Sequence, residues 1–112
     1  MDEGMRDRAA GVLLGQACGD ALGAGYEFGP ALPGAAAVVM KGGGGFGWAP
    51  GEWTDDTQMA IPLLEAAEMD GGLMGNLDHV ARRWVDWAVS AADVGNQTRA
   101  VIASLLGEPG VA

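Results

Sequence analysis

Apolar residues recur at three- and four-residue intervals in four segments of the chain, and this spacing predicts four α-helices. The predicted helices cover residues 7–22, 54–70, 78–91 and 98–106. The second begins at Thr54 or Asp55, which are good N-cap residues, and is expected to kink at Pro62. Residues 23–51 have no helical pattern, and only 35–40 could form a short strand. The pattern predicts a mostly α-helical fold.

Four glycines occupy every fourth position of the first predicted helix, Gly11, Gly15, Gly19 and Gly23. Four residues advance a helix by about 400°, so these glycines form a slowly drifting stripe on one side. Each costs up to about 1 kcal/mol of helix stability relative to alanine, which suggests that something approaches the stripe closely. Packing against another helix is the simpler interpretation, and binding of a ligand is the alternative. Asp20 interrupts the apolar pattern and needs a polar partner if it is buried.

Length, charge and cysteine content limit the class of protein. The chain has 112 residues, enough for one small domain, and 49% of them are hydrophobic, which argues against disorder. Six basic and fifteen acidic residues give a net charge of −9, so we expect no binding to a nucleic-acid backbone and no membrane role. The single cysteine, Cys18, implies no oxidising compartment and is expected to be a buried packing residue. We therefore expect a cytoplasmic protein.

The segment with the most chemical information is 53–57, in which Asp55 and Asp56 stand between Thr54 and Thr57. Adjacent carboxylates and hydroxyls are hard oxygen ligands of the kind that Mg²⁺, Mn²⁺ and Ca²⁺ prefer. The same residue types are common where a helix begins, because they cap its free N–H groups and meet the positive end of its dipole. On this segment alone, capping is the simpler interpretation.

A run of glycines at 42–45, followed by Gly47, satisfies the spacing of the dinucleotide-binding fingerprint. That fingerprint requires a helix to start at its third glycine, and Pro50 argues against such a helix. A Walker phosphate-binding loop is excluded, because no Gly-Lys-Ser/Thr sequence is present. The run could bring backbone N–H groups onto an anion, or it could be only a mobile connection.

Three ordered segments resemble the ADP-ribosylglycohydrolase family, which includes the dinitrogenase-reductase-activating glycohydrolases. The matching segments are GVLLGQACGDALG with YEF (11–23 and 26–28), GGFGW with PGEWTDDTQM (44–48 and 50–59), and, more weakly, DVGNQTR (93–99). They are spread over nearly the whole chain, and the first two are long enough to be specific. The resemblance implies an all-α fold, an orthogonal helical bundle of which residues 1–112 would be the N-terminal part of a single domain.

The resemblance also implies a centre of two Mg²⁺ or Mn²⁺ ions, in which Thr54, Asp55 and Asp56 match the first ligand cluster. It implies a catalytic role for Glu27, which matches an acidic residue near the cleft, and for Asp93, which matches a general-base candidate. The residues that it implies in substrate binding are Gly44, Gly45, Phe46 and Asn96. From the residue types alone, Glu27 could instead be a solvated loop carboxylate, and Asp93 and Asn96 could be helix caps.

The implied function is hydrolysis of the glycosidic bond between ADP-ribose and an acceptor, on a protein or a small-molecule conjugate, by a protein that is monomeric when complete. The family completes its metal centre with a second, C-terminal acidic cluster, whereas the only acidic residue after Asp93 here is Glu108. The chain is therefore expected to be an N-terminal fragment that is inactive alone. A non-catalytic ADP-ribose-binding module and a nonfunctional truncated remnant are the alternatives. His79 has no match in the family and is expected on an exposed helix face.

Overall fold

The computed structural model describes residues 2–107. Its helices are α1 (Glu3–Gly23), a 3₁₀ turn (Ala24–Tyr26), α2 (Asp55–Glu68), α3 (Gly72–Gly75), α4 (Leu77–Ala88) and α5 (Asn96–Leu106). The described residues form no strand, which confirms the all-α prediction. They divide into two compact units, and the division falls within α2, between Thr57 and Gln58. Within residues 2–107, none of the helices combines the length with the apolarity that a bilayer-spanning helix requires.

Helix α1 begins earlier than the apolar pattern predicts, because Asp2 caps it. The Asp2 side chain accepts a hydrogen bond from the Met5 N–H at 2.8 Å, a standard N-cap contact. One prediction for α1 is wrong: Cys18 is exposed rather than buried. Within the described residues no atom lies within 4 Å of a methyl group added at any glycine of the stripe (Gly11, Gly15, Gly19 and Gly23). Packing of another helix against the stripe therefore stays a prediction.

The segment that could have formed a strand, 35–40, has no regular secondary structure, and its first residue lies in a turn. Val39 gives the physical reason. Its N–H donates to the Tyr26 hydroxyl, and its carbonyl accepts from that same hydroxyl, each at 3.1 Å. One tyrosine side chain therefore takes the place of a neighbouring strand.

Residues 43–48 form a tight loop closed by two backbone hydrogen bonds between Gly43 and Trp48. The Gly43 N–H donates to the Trp48 carbonyl at 2.6 Å, and the Trp48 N–H donates back at 3.0 Å. Gly42 requires glycine on two grounds: its φ of +64° is rarely adopted by other residues, and an added Cβ would lie 2.5 Å from the Trp48 carbonyl oxygen. Gly25 is equally constrained, since a Cβ there would lie 2.1 Å from the Gly42 carbonyl oxygen. The glycines allow the loop to lie directly against the 3₁₀ turn.

In the second unit, two tryptophans of α4 donate hydrogen bonds to the first α2 residues of that unit. The Trp84 Nε1–H donates to the Met59 carbonyl at 2.9 Å, and the Trp87 Nε1–H donates to Gln58 Oε1 at 2.5 Å. Helix α2 runs through Pro62. It ends before the glycines at 71–72, as the sequence predicts, but the short helix α3 that follows was not predicted.

Glu65 of α2 joins two residues of α4. Arg83 donates from Nε and Nη2 to the two Glu65 carboxylate oxygens, at 3.0 Å each. His79 Nε2 lies 2.7 Å from Glu65 Oε2. The hydrogen bond from Arg83, followed by that from His79, lowers the pKa of Glu65 to about 2. His79 is therefore half-buried beside Glu65, and the prediction of an exposed helix face for it is wrong.

We expect the stability that Glu65 contributes to be lost only in strong acid. A carboxyl group whose pKa is lowered on folding stabilises the protein fully above its ordinary pKa of 4.5, and this stabilisation disappears as the pH falls toward 2. Glu65→Gln should lower the melting temperature at pH 6 by about 2–5 °C, since partly exposed ion pairs contribute modestly. In this variant the melting temperature should also fall less steeply between pH 4.5 and pH 2 than it does in wild type. Glu68→Gln, an exposed change on the same helix, is the control, and an equal response in both variants would contradict the prediction.

Candidate functional site

At the start of α2, two threonines converge on the carboxylate of Asp20 from α1. Asp20 Oδ1 accepts a hydrogen bond from the Thr54 hydroxyl at 2.7 Å. Asp20 Oδ2 accepts from the Thr54 N–H at 2.8 Å, the Thr57 hydroxyl at 2.6 Å and the Thr57 N–H at 3.2 Å. Both threonines are buried, Thr54 to an exposure of 1%. The carboxylate therefore satisfies N–H groups at a helix N-terminus, where the helix dipole also favours negative charge.

The four hydrogen bonds determine the charge state of Asp20. Burial is the largest single influence and acts to raise its pKa. The hydrogen bonds from Thr57 and Thr54 together outweigh burial, and the pKa of Asp20 is lowered below its ordinary value of 3.8. Asp20 is therefore ionised at neutral pH. Asp20 is half-buried, and the two threonines are polar partners of the kind that the sequence called for if it were buried.

Thr54 also caps α2. Its Oγ1 accepts a hydrogen bond from the Asp56 N–H at 3.3 Å, so the capping interpretation is confirmed for this residue. Asp55 and Asp56 occupy the first turn of α2. The Asp56 carbonyl accepts a hydrogen bond from the side-chain amide of Gln16 at 2.9 Å, which is a second link between this turn and α1. The backbone of the Thr54–Asp56 segment is therefore held from two positions on α1.

An open cleft of about 540 Å³ lies beside this turn. Its lining combines three carboxylate residues, one amide and three small residues: Asp20, Glu27, Asp56, Gln16, Gly19, Gly23 and Ala24. The structure therefore brings together two of the predicted site residues, Glu27 and Asp56. Two glycines of the stripe border the same space, so this part of the stripe faces an open cleft rather than a helix. The three carboxylates make the cleft acidic.

Asp20 and Gln16 contribute to this site, although they were not predicted as site residues. A signal for Asp20 was present in the sequence: a lone carboxylate in an apolar helix, and two threonines three positions apart at a helix start. What the sequence did not reveal is that these features meet, because Thr54 lies 34 positions after Asp20 in the chain.

Thr54, Asp55 and Asp56 fit one part of a divalent-metal centre. They offer a hydroxyl and two carboxylates, which are hard oxygen donors suited to Mg²⁺ or Mn²⁺. The Thr54 hydroxyl donates its proton to Asp20, and its oxygen keeps acceptor capacity. Among the side chains of residues 2–107, no group of three or more Asp, Glu, His or Cys is placed to hold a metal ion. A complete centre would need further ligands from outside the described residues.

The glycine loop offers backbone donors next to the 3₁₀ turn that leads to Glu27. Within residues 2–107, the N–H groups of Gly44, Gly45 and Phe46 donate to no backbone carbonyl. Gly44 lies close to the turn, since a Cβ on it would be 3.3 Å from the Gly25 carbonyl oxygen. Successive N–H groups in such a turn suit an anion. Substrate binding by this loop stays a prediction.

Asp93 and Asn96 lie in the second unit, at the start of α5. The N-cap of α5 is Gly95, which has no side chain for capping, and Asn96 is the first helical residue. Asn96 is therefore not the N-cap of α5, and the helix-cap interpretation is wrong for this residue, whereas for Asp93 it stays a prediction. Asn96 is exposed and Asp93 is half-buried. Their assignment to catalysis and substrate contact stays a prediction.

Comparison with known proteins adds a family and three relatives. The family model described as ADP-ribosylglycohydrolase matches residues 1–111. An ADP-ribosylarginine hydrolase of Pseudomonas putida is 39% identical over 110 residues, which cover 91% of this chain and 29% of the relative. An ADP-ribosylarginine hydrolase of Serratia proteamaculans is 42% identical, over 83% of this chain and 27% of the relative. The ADP-ribosyl-(dinitrogen reductase) glycohydrolase of Rhodospirillum rubrum is 37% identical, over 85% of this chain and 33% of the relative. The chain spans a third or less of the length of these curated relatives.

Proposed function

The chain belongs to the ADP-ribosylglycohydrolase family, and on that premise we propose that it is the N-terminal part of a single-domain hydrolase that removes ADP-ribose from an acceptor. The observation that carries the proposal is the network around Asp20. It holds the start of α2, where Thr54, Asp55 and Asp56 follow one another and where Asp56 lines the acidic cleft together with Glu27.

For the acceptor we propose arginine, on a protein or on a small-molecule conjugate. Two of the relatives are named ADP-ribosylarginine hydrolases, and a third is named for ADP-ribosylated dinitrogen reductase. The bond broken would then join C1″ of the distal ribose to a guanidinium nitrogen. An acidic cleft suits such a substrate at this end, because the guanidinium carries positive charge.

In this proposal, Thr54, Asp55 and Asp56 hold part of a centre of two Mg²⁺ or Mn²⁺ ions. The ions would supply positive charge that orients the ribose and acidifies a water molecule. Asp20 keeps the Thr54 oxygen and the first turn of α2 in place through its hydrogen bonds. Glu27, which lines the cleft, would lie close to the bond that breaks. Gly44 and Gly45, with the Phe46 N–H, would bind the pyrophosphate.

The roles proposed for the second unit are those of a base and of a substrate contact. Asp93 would accept the proton of the attacking water, and Asn96 would hydrogen-bond the substrate. Both residues are accessible to solvent in the second unit, as these roles require.

The test uses a chimera in which this chain replaces the matching segment of the Pseudomonas putida relative. Release of ADP-ribose from ADP-ribosylarginine is measured with Mg²⁺ or Mn²⁺, and again with EDTA in excess. The proposal expects metal-dependent release. Binding of ADP-ribose without any release would instead favour a non-catalytic binding module. A chain that shows no helical circular dichroism would be a remnant that does not fold.

By itself, the chain should bind Mg²⁺ with a Kd of about 1 mM or weaker. Three oxygen donors are about half of an octahedral shell, and Mg²⁺ gives up water reluctantly. Isothermal titration of the chain with MgCl₂ measures this affinity, with Asp55→Asn as the comparison. A micromolar Kd would mean that other residues of this chain complete the site, and the assignment of a half-site would be wrong.

A further inference from the structure

We propose that Phe28 and Phe46 form a stacking subsite for the guanidinium group of the acceptor arginine. This inference rests on the proposed function, because it assigns the part of the substrate that these two rings would contact. The prediction from sequence placed Phe46 in substrate binding without a ligand group and gave Phe28 no role.

Three aromatic rings form a row in the first unit. The Phe46 ring centroid lies 5.8 Å from that of Trp48 and 6.2 Å from that of Phe28, with interplanar angles of 39° and 55°. Exposure rises along the row, from 6% at Trp48 through 41% at Phe46 to 80% at Phe28. Trp48 therefore serves as a buried anchor, and it supports two rings that are open to a ligand.

Two unfavourable local features coincide at this row. Phe28 has a φ of +63°, a left-handed conformation that a bulky residue rarely adopts. The Nε1–H of Trp48 is buried and has no hydrogen-bond partner among the described residues. Since the Phe28 ring is mostly exposed, its own burial does not offset the strain. Strain that core packing does not explain is typical of a functional position.

The position of the row favours a planar cation. Phe28 directly follows Glu27, and the 3₁₀ turn before Glu27 lies against the glycine loop that carries Phe46. Glu27 lines the cleft together with Asp20 and Asp56, so the residue before Phe28 belongs to a group of three carboxylates. Guanidinium groups pair with carboxylates and also stack on aromatic faces, which attract cations electrostatically. The bond that breaks in the proposed reaction carries a guanidinium on its acceptor side.

The test is an NMR titration of the chain with methylguanidinium chloride and, separately, with ADP-ribose. Methylguanidinium should shift the ring signals of Phe28 and Phe46. Phe28→Leu keeps apolar volume but removes the aromatic face, and it should weaken methylguanidinium binding about two- to fivefold, the size of a cation–π contact at an exposed site. The affinity for ADP-ribose, which lacks a guanidinium, should not change. Met74→Ala, an equally exposed change in the second unit, should alter neither affinity.

The outcomes separate this inference from the proposed function. The inference is overturned if methylguanidinium leaves both ring signals unmoved, or if Phe28→Leu weakens ADP-ribose binding instead, which would make the rings a platform for adenine. The proposed function fails on different data, namely a folded chimera that releases no ADP-ribose in the presence of Mg²⁺ or Mn²⁺. If Phe28→Leu disturbs the fold, Phe28→Gly provides the same test, because glycine adopts a positive φ readily. It should retain the melting temperature and show the same loss of methylguanidinium affinity.

Discussion

In the chimera, Asp55→Ala and Asp56→Ala are each expected to lower the rate of ADP-ribose release at least about 100-fold. Each change removes a proposed direct ligand, which weakens metal binding and also displaces the water that the centre positions. Glu27→Ala should cost less, because Glu27 is not among the proposed ligands. The measurement is the initial rate of ADP-ribose release from ADP-ribosylarginine at saturating Mn²⁺.

Asp55→Asn is the sharper variant, since it keeps the size and most of the hydrogen-bonding capacity of the side chain and removes only its charge. A metal ligand should lose most of its activity in this variant, whereas a residue that only favours the helix dipole should lose a few tenths of a kcal/mol of stability. Asp7→Asn, an exposed change on α1, is the control for an acidic residue outside the cleft. A rate near that of wild type in Asp55→Asn would remove Asp55 from the proposed metal centre.

The helices themselves were largely predictable, because each depends on local pattern and local signals. Spacing of apolar residues located α2, α4 and α5 to within a few residues, and the glycines at 71–72 marked the end of α2. The start of α1 was missed because the cap comes from Asp2, ahead of the apolar repeat. Residues 35–40 could have formed a strand by their pattern, but a strand needs a partner, and at Val39 the Tyr26 hydroxyl bonds both backbone groups instead.

The candidate site was predictable only in its residue types. The resemblance selected Thr54, Asp55 and Asp56, and Glu27 and Asp56 do meet at one cleft. The connection that holds the segment in place was not predictable, since Asp20 reaches Thr54 and Thr57 across more than thirty residues. The left-handed backbone of Phe28 has no sequence signal either, because glycine or asparagine would be expected there. Pattern analysis detects periodicity within a segment, whereas these features arise from contacts between segments.

The stripe of glycines shows how one pattern can support two interpretations. Small residues at every fourth position predict close approach, but they do not identify what approaches. Gly19 and Gly23 line the cleft, which fits the ligand interpretation at that end. At the other end, Gly11 and Gly15 have no described atom near an added Cβ. Gly19→Ala is therefore the more informative substitution, since its methyl group would enter the cleft without disturbing packing within the unit.

Asp20→Ala should destabilise the first unit by roughly 3 kcal/mol, because it leaves two hydroxyls and two N–H groups without their acceptor. Thr54 is 1% exposed and Thr57 4% exposed, so water cannot readily replace the carboxylate. A loss of this size is a large fraction of the total stability of a small domain. Urea unfolding followed by circular dichroism measures it, and Asp7→Ala on the exposed side of α1 should change the free energy of unfolding by less than about 0.5 kcal/mol.

The acid dependence of the same variant distinguishes a charged acceptor from a merely polar one. Because folding lowers the pKa of Asp20, its stabilisation is complete above the ordinary value of 3.8 and is lost as the pH falls through the lowered pKa. Asp20→Asn keeps one acceptor oxygen but places an amide N–H group against other hydrogen-bond donors, so the variant should be less stable than wild type at pH 7. Its free energy of unfolding should also no longer fall with the protonation of Asp20. In the chimera, the variant should also lose activity while the ligand side chains Asp55 and Asp56 are intact, since the turn that carries them is no longer held. If Asp20→Asn kept both its stability and its activity, the hydrogen-bond network would not be what positions the start of α2.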